Sequence, residues 1–197
     1  KDICRRLAKA GYYAIAPELF IRQGDVSTIS NIPDIQKNVT SKVPDAQVMS
    51  DLDACVTFAA NNPAVNAQKL AITGFCWGGR ITWLYAAYNQ RVKAGAAWYG
   101  RLEGNATELM PKYPIDVASQ INAPILGLYG GSDTGISQDS VQRMVTALNA
   151  SGKKSKIVVY PDVGHAFNAD YRPSYNEAAA KDAWAKLLDW FKTNGVS

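Results

Sequence analysis

Short apolar runs alternate with stretches of helical period along nearly all 197 residues, and few architectures accommodate that alternation. Residues 12–16, 70–73, 93–98, 124–129 and 156–160 read as strands. They are nearly unbroken apolar runs, as expected of strands buried on both faces of a parallel sheet. Between and around them, residues 2–10, 45–61, 77–88, 137–150 and 174–192 carry amphipathic helical patterns. Strands joined by helical crossovers predict an α/β fold with a mostly parallel sheet and helices on both faces. Residues 17–44 read as a long connection with turns at Gly24-Asp25 and Pro33-Asp34, and residues 101–122 as a polar excursion with one helical turn. No linker interrupts the pattern, so residues 1–197 are expected to form a single domain.

Composition excludes several classes. Hydrophobic residues make up 47% and charged residues 19% of the chain, an ordinary globular balance rather than a disordered one. The net charge of +4 is spread without a basic run, so no nucleic-acid partner is expected. No apolar run approaches the roughly 18 residues of a membrane span, and no membrane partner is expected. Three scattered cysteines, Cys4, Cys55 and Cys76, suit neither a disulfide framework nor a metal site. The expectation is a cytoplasmic protein with no bound metal. Cys4 and Cys55 lie on apolar helix faces and read as packing residues. Oligomeric state has no signature in the sequence.

The most informative stretch runs from Ile72 to Arg80. Gly74-Phe75-Cys76-Trp77-Gly78 has the glycine-x-nucleophile-x-glycine form of a strand-to-helix elbow, with cysteine where serine is usual. A sharp turn strains the central residue and leaves little room for side chains two positions either side, a need that Gly74 and Gly78 are expected to meet. The turn would lift the sulfur to a helix N-terminus, whose dipole favours thiolate. The backbone N–H of Trp77 would then point to where an oxyanion forms. The alternative is a buried cysteine beside glycines that merely tighten packing.

Two later strand ends repeat the arrangement. One runs into Gly130-Gly131-Ser132-Asp133, the next into Pro161-Asp162-Val163-Gly164-His165, the only histidine in the chain. Parallel α/β sheets place their sites along the carboxyl edge of the strands, so Cys76, Asp133 and His165 are expected to converge there. Their order, nucleophile then acid then base, is that of the hydrolase triad. Asp139 and Asp162 are rivals for the acid. Asp133 is preferred because it leaves a strand end, where a carboxylate can fix the imidazole tautomer.

These segments also resemble a known family. Gly74-Phe75-Cys76-Trp77-Gly78-Gly79, Gly131-Ser132-Asp133 and Gly164-His165-Ala166-Phe167 resemble the three triad motifs of dienelactone hydrolases, or carboxymethylenebutenolidases. Tyr13-Ala14-Ile15-Ala16-Pro17-Glu18-Leu19 and Arg22-Gln23 resemble that family's strand and following loop. The resemblance implies an α/β-hydrolase fold and thiol-based acyl transfer from a small-molecule ester or lactone to water, with no metal or organic cofactor. In the family, the first strands, a second oxyanion donor and a glutamate near the cysteine precede the helix with which this sequence begins. The sequence is therefore expected to be an N-terminally incomplete domain whose oxyanion hole retains the Trp77 amide.

The family's substrate-binding arginines have no counterpart in Ala166-Phe167-Asn168-Ala169 or between residues 31 and 42. Arg22 or Arg80 is the expected substitute, and Phe167, with Trp77, Trp98 and Tyr99, the expected lining of an acyl pocket. The rival expectation is a catalytically inactive remnant or binding protein of the same fold.

Overall fold

The structure is a computed structural model that describes residues 1–29 and 31–197, apart from the side chain of Thr28. The chain packs as two compact units, Lys1–Ala67 with Ala106–Pro111, and Gln68–Asn105 with Lys112–Ser197.

The first unit is helical: α1 (Asp2–Lys9), α2 (Ile32–Asn38) and α3 (Asp45–Ala60), with short 3-10 turns at Val26–Thr28 and Thr40–Lys42. Helix α1 stops just before Gly11, which takes a φ of 93° that glycine adopts without strain. The Pro33-Asp34 pair marks the first turn of α2 rather than an isolated turn. Proline is compatible with a first helical turn, and the Asn31 side chain caps it by accepting from the Asp34 N–H at 2.8 Å. Asp45 is the first residue of α3, after Pro44, and its carboxylate sits in the first turn where the helix dipole favours it. Residues 12–16 form no strand, contrary to expectation, and Tyr13 and Ile15 are 50% and 39% exposed. A strand exists only with a hydrogen-bonded neighbour, and among the described residues this unit contains no other strand.

The second unit is built on four parallel strands, β1 (Leu70–Phe75), β2 (Val92–Trp98), β3 (Ile125–Gly130) and β4 (Lys156–Tyr160), in spatial order 1-2-3-4. Four strands rather than five therefore make the sheet. Helix α4 (Trp77–Tyr88) packs on β1 and β2, a 3-10 segment (Pro114–Gln120) lies against α4, and α5 (Gln138–Ala150) continues that layer. The closing helix α6 (Glu177–Thr193) packs on β2 and β3 and forms the opposite layer. It starts later than its apolar pattern suggests, because Asn176 caps it by accepting from the Ala179 N–H. The central strands β2 and β3 are buried almost throughout, as their unbroken apolar runs require.

Trp83, Trp98, Leu128, Met144 and Leu187 have essentially no exposed surface. Full burial of a large apolar side chain stabilises by about 1.5–3 kcal/mol. The polar tips of the large aromatics are satisfied in series. The Trp83 indole donates to the Tyr129 hydroxyl at 3.1 Å, which donates to the Gly100 carbonyl at 2.9 Å. Among the described residues no helix is long and apolar enough to cross a membrane.

Candidate active site

Strand register fixes where the site can be. Phe75 lies beside Trp98, Trp98 beside Leu128, and Gly130 beside Tyr160, so the four strands end along one edge. Cys76, Asp133 and His165 all leave the sheet at that edge.

At the end of β1 the chain turns abruptly into α4. Cys76 occupies the N-cap position with φ 54° and ψ −114°. Its N–H still bonds the sheet through the Trp98 carbonyl at 2.9 Å, while its own carbonyl accepts from the N–H groups of Gly79 and Arg80. Gly74 is indispensable to this turn, since a β-carbon there would meet the Gly78 carbonyl oxygen at 2.2 Å. The expectation for Gly78 does not hold, because a β-carbon at that position would point into open space.

The loops after β3 and β4 interlock. The Gly131 N–H donates to the Tyr160 carbonyl at 2.7 Å and the Ser132 N–H to the Val163 carbonyl at 3.0 Å. The approach is so close that a β-carbon on Gly131 would meet the Pro161 carbonyl oxygen at 2.4 Å. This docking brings Asp133 Oδ2 to 2.7 Å from His165 Nδ1, while Asp133 Oδ1 accepts from the Gly135 N–H at 2.8 Å. The Asp133 side chain is 1% exposed and that of His165 is 36%. With Nδ1 committed to Asp133, Nε2 is the nitrogen left for the sulfur, and His165 and Cys76 each bear on the other's titration. Neither Asp139 nor Asp162 competes for His165, whose carboxylate partner is Asp133.

Electrostatics favour a charge-separated pair. Burial is the largest single influence on the Cys76 thiol and opposes ionisation. The hydrogen bond and charge of His165, the Trp77 N–H and the charge of Arg172 together outweigh it, leaving the thiol below its ordinary value. His165 is pushed up to about 9, chiefly by its bond to Asp133 and then by its bond to Cys76, against the effect of burial. Both shifts favour the charge-separated form, in which a thiolate lies beside an imidazolium.

The expected substrate contacts fare differently. Arg22 belongs to the first unit, where its guanidinium binds both oxygens of Asp51 at 2.8 and 2.5 Å. Arg80 is 3% exposed, donates to the Lys112 carbonyl at 2.6 Å and lies 4.8 Å above the Tyr113 ring. It pins the chain at Lys112 and Tyr113 and offers almost no surface to a ligand. Phe167 is wholly buried among Trp98, Tyr99 and Tyr160 and is a core residue instead. Apolar character alone could not separate a pocket wall from core, which explains the misassignment.

Two residues near the sulfur escaped the sequence reading in these roles. Arg172, seven positions past His165, bears on the Cys76 charge. It lies in a loop without periodicity, so no local signal announced its approach. Tyr99, just past β2, has φ 37°. With Cys76 and Ala166 (φ 62°) it makes up the non-glycine residues at positive φ among the described residues. Such backbone states cost about 1–3 kcal/mol each and cluster at functional sites. All three lie beyond strand ends around the Cys76–His165 pair.

Residues 1–195 match the sequence profile of the dienelactone hydrolase family. A Methylorubrum extorquens protein provisionally named carboxymethylenebutenolidase is 61% identical over 197 residues, covering 100% of this chain and 68% of the relative. One from Salmonella typhimurium with the same provisional name is 56% identical over 195 residues, covering 99% of this chain and 72% of the relative. A crystal structure from Klebsiella pneumoniae, provisionally named a dienelactone hydrolase, superposes with a TM-score of 0.94 at 55% identity. It covers 97% of this chain and 79% of that one.

Proposed function

Because the chain belongs to the dienelactone hydrolase family, we propose that it hydrolyses a carboxylic ester or lactone through Cys76, His165 and Asp133. The observation that carries this reading is the delivery of Cys76, His165 and Asp133 to one sheet edge by three strand ends, with Asp133 Oδ2 2.7 Å from His165 Nδ1 and with Cys76 and His165 each shifting the other's titration.

The Cys76 thiolate attacks the carbonyl carbon, and the carbonyl electron pair moves onto oxygen. The Trp77 N–H, at the first position of α4 and bearing on the Cys76 charge, donates to that oxyanion. Collapse breaks the bond to the alkoxy oxygen, which takes the proton of the His165 imidazolium and leaves a thioester on Cys76. In a lactone the alcohol so formed stays tethered to the acyl group. Neutral His165 then takes a proton from water as its oxygen attacks the thioester. The second tetrahedral intermediate expels the Cys76 thiolate and releases a carboxylic acid, and the imidazolium is again beside the thiolate. Asp133 keeps its bond to Nδ1 throughout and fixes the ring orientation.

The test is the time course of p-nitrophenyl acetate cleavage by this chain and by Cys76→Ala. A burst of nitrophenol equal to the enzyme concentration, absent from the variant, is the expected result. Equal time courses from the two folded proteins would overturn the proposal and favour an inactive member of the family.

A further inference from the structure

From its contacts at the end of β2, we infer that Tyr99 is a positioning residue that holds His165 in register with both Cys76 and Asp133. The inference rests on the reading of Cys76 and His165 as the reacting pair.

The turn after His165 is wrapped around the Tyr99 ring. That ring lies 5.1 Å from the imidazole at 62° and 5.3 Å from Phe167 at 69°, edge-on geometries that aromatic pairs favour. The backbone of Asn168 also bears on the Tyr99 hydroxyl. Residues 165 and 167 thus both meet one ring, and Ala166 between them is the residue forced to positive φ.

Tyr99 is itself held rigidly. Its N–H donates to the Leu128 carbonyl at 2.8 Å, extending the sheet ladder one residue past β2. Its ring also meets Phe75 at 6.2 Å, the residue that precedes Cys76. One buried, 2% exposed ring therefore touches the approach to the elbow and the turn that carries the base. A tyrosine at φ 37° is an uneconomical way to fill a core, since an extended residue would do so without strain. Burial holds the phenol well above its ordinary value, so the hydroxyl stays neutral beside the Asn168 backbone. Without the ring, the 165–168 turn loses its template. The Asp133 bond alone constrains Nδ1 but leaves the imidazole free to swing Nε2 away from the sulfur.

The test reads the pair directly and not through ester turnover. Alkylation of Cys76 by iodoacetamide is followed against pH in the whole chain, with the Cys76 peptide resolved by mass spectrometry from those of Cys4 and Cys55. The groups bearing on Cys76 are His165, Arg172 and Tyr99, and those bearing on His165 are Asp133 and Cys76. In Tyr99→Leu the midpoint of the alkylation profile should rise toward that of an ordinary thiol, with kcat down on the order of 100-fold and KM little changed. Tyr99→Phe keeps the ring and removes the hydroxyl that Asn168 bears on, so it should shift the profile in the same direction but less.

A folded Tyr99→Leu with the unaltered profile and kcat would overturn the inference. So would an unfolded Tyr99→Leu together with an unaltered Tyr99→Phe, which would reduce Tyr99 to a core residue. Because the profile needs only the thiol and the imidazole, it can succeed even if Cys76→Ala retains esterase activity. In that case the hydrolytic reading fails and the positioning role stands.

Discussion

The elbow after β1 and the paired loops after β3 and β4 bring reactive groups to the same sheet edge by different means. The elbow is set locally, by the steric clash that excludes a side chain at Gly74 and by the bonds of Cys76 to residues within four positions and to the next strand. The loops hold each other, with backbone bonds from Gly131 and Ser132 to Tyr160 and Val163 supporting the contact between Asp133 and His165. Cys76 is thus placed by the stiffness of a short segment. His165 and Asp133 are placed by tertiary docking, and a fault in either loop displaces both.

The largest effect should follow from breaking the electrostatic partnership that the loops create. Asp133→Asn preserves shape but removes the charge that holds the His165 tautomer, and kcat should fall by about 10³–10⁴. The same variant should raise the midpoint of Cys76 alkylation, because His165 is raised chiefly by Asp133 and in turn lowers the thiol. Unchanged kcat and midpoint would mean that the loops do not set the charge of the base.

Next in size is a pair of glycine substitutions inside the elbow. Gly74→Ala must displace the Gly78 backbone and should cost about 3 kcal/mol in denaturant unfolding. Gly78→Ala meets nothing and lies in the first turn of α4, where alanine is the better helix former. It should be neutral or stabilising by up to about 1 kcal/mol. Similar costs at both positions would show that the elbow is not governed by that one clash.

The smallest effect is a pH dependence. His165 is raised from 6.5 to about 9 in the folded state, so the stability it contributes is complete below 6.5 and fades as pH rises through about 9. The gap in melting temperature between the parent chain and Asp133→Asn should therefore narrow from about pH 7 to about pH 10. The lowered thiol acts in the opposite sense, its contribution being present above its ordinary value of 9 and lost as pH falls. A gap that stays constant over the alkaline range would uncouple His165 from the Asp133 charge.

Legibility from sequence follows the same division. The strands from Leu70 to Tyr160, the helices between them and the elbow at Cys76 are encoded by short-range features: apolar period, caps and glycines. The convergence of Cys76, Asp133 and His165 was legible because parallel strands deliver their ends to one edge. Residues 12–16 carry the apolar run of a strand, yet pairing is a property of two segments and cannot be read from one.

What the chain alone determined is which segments turn, coil and extend, and which reactive groups sit at strand ends. Folding decided the neighbours: Arg80 against Tyr113, Phe167 inside the core and Tyr99 against His165. Periodicity describes the backbone over a few residues. A contact between side chains 66 positions apart, such as Tyr99 and His165, depends on how whole elements pack, and no local pattern carries that information.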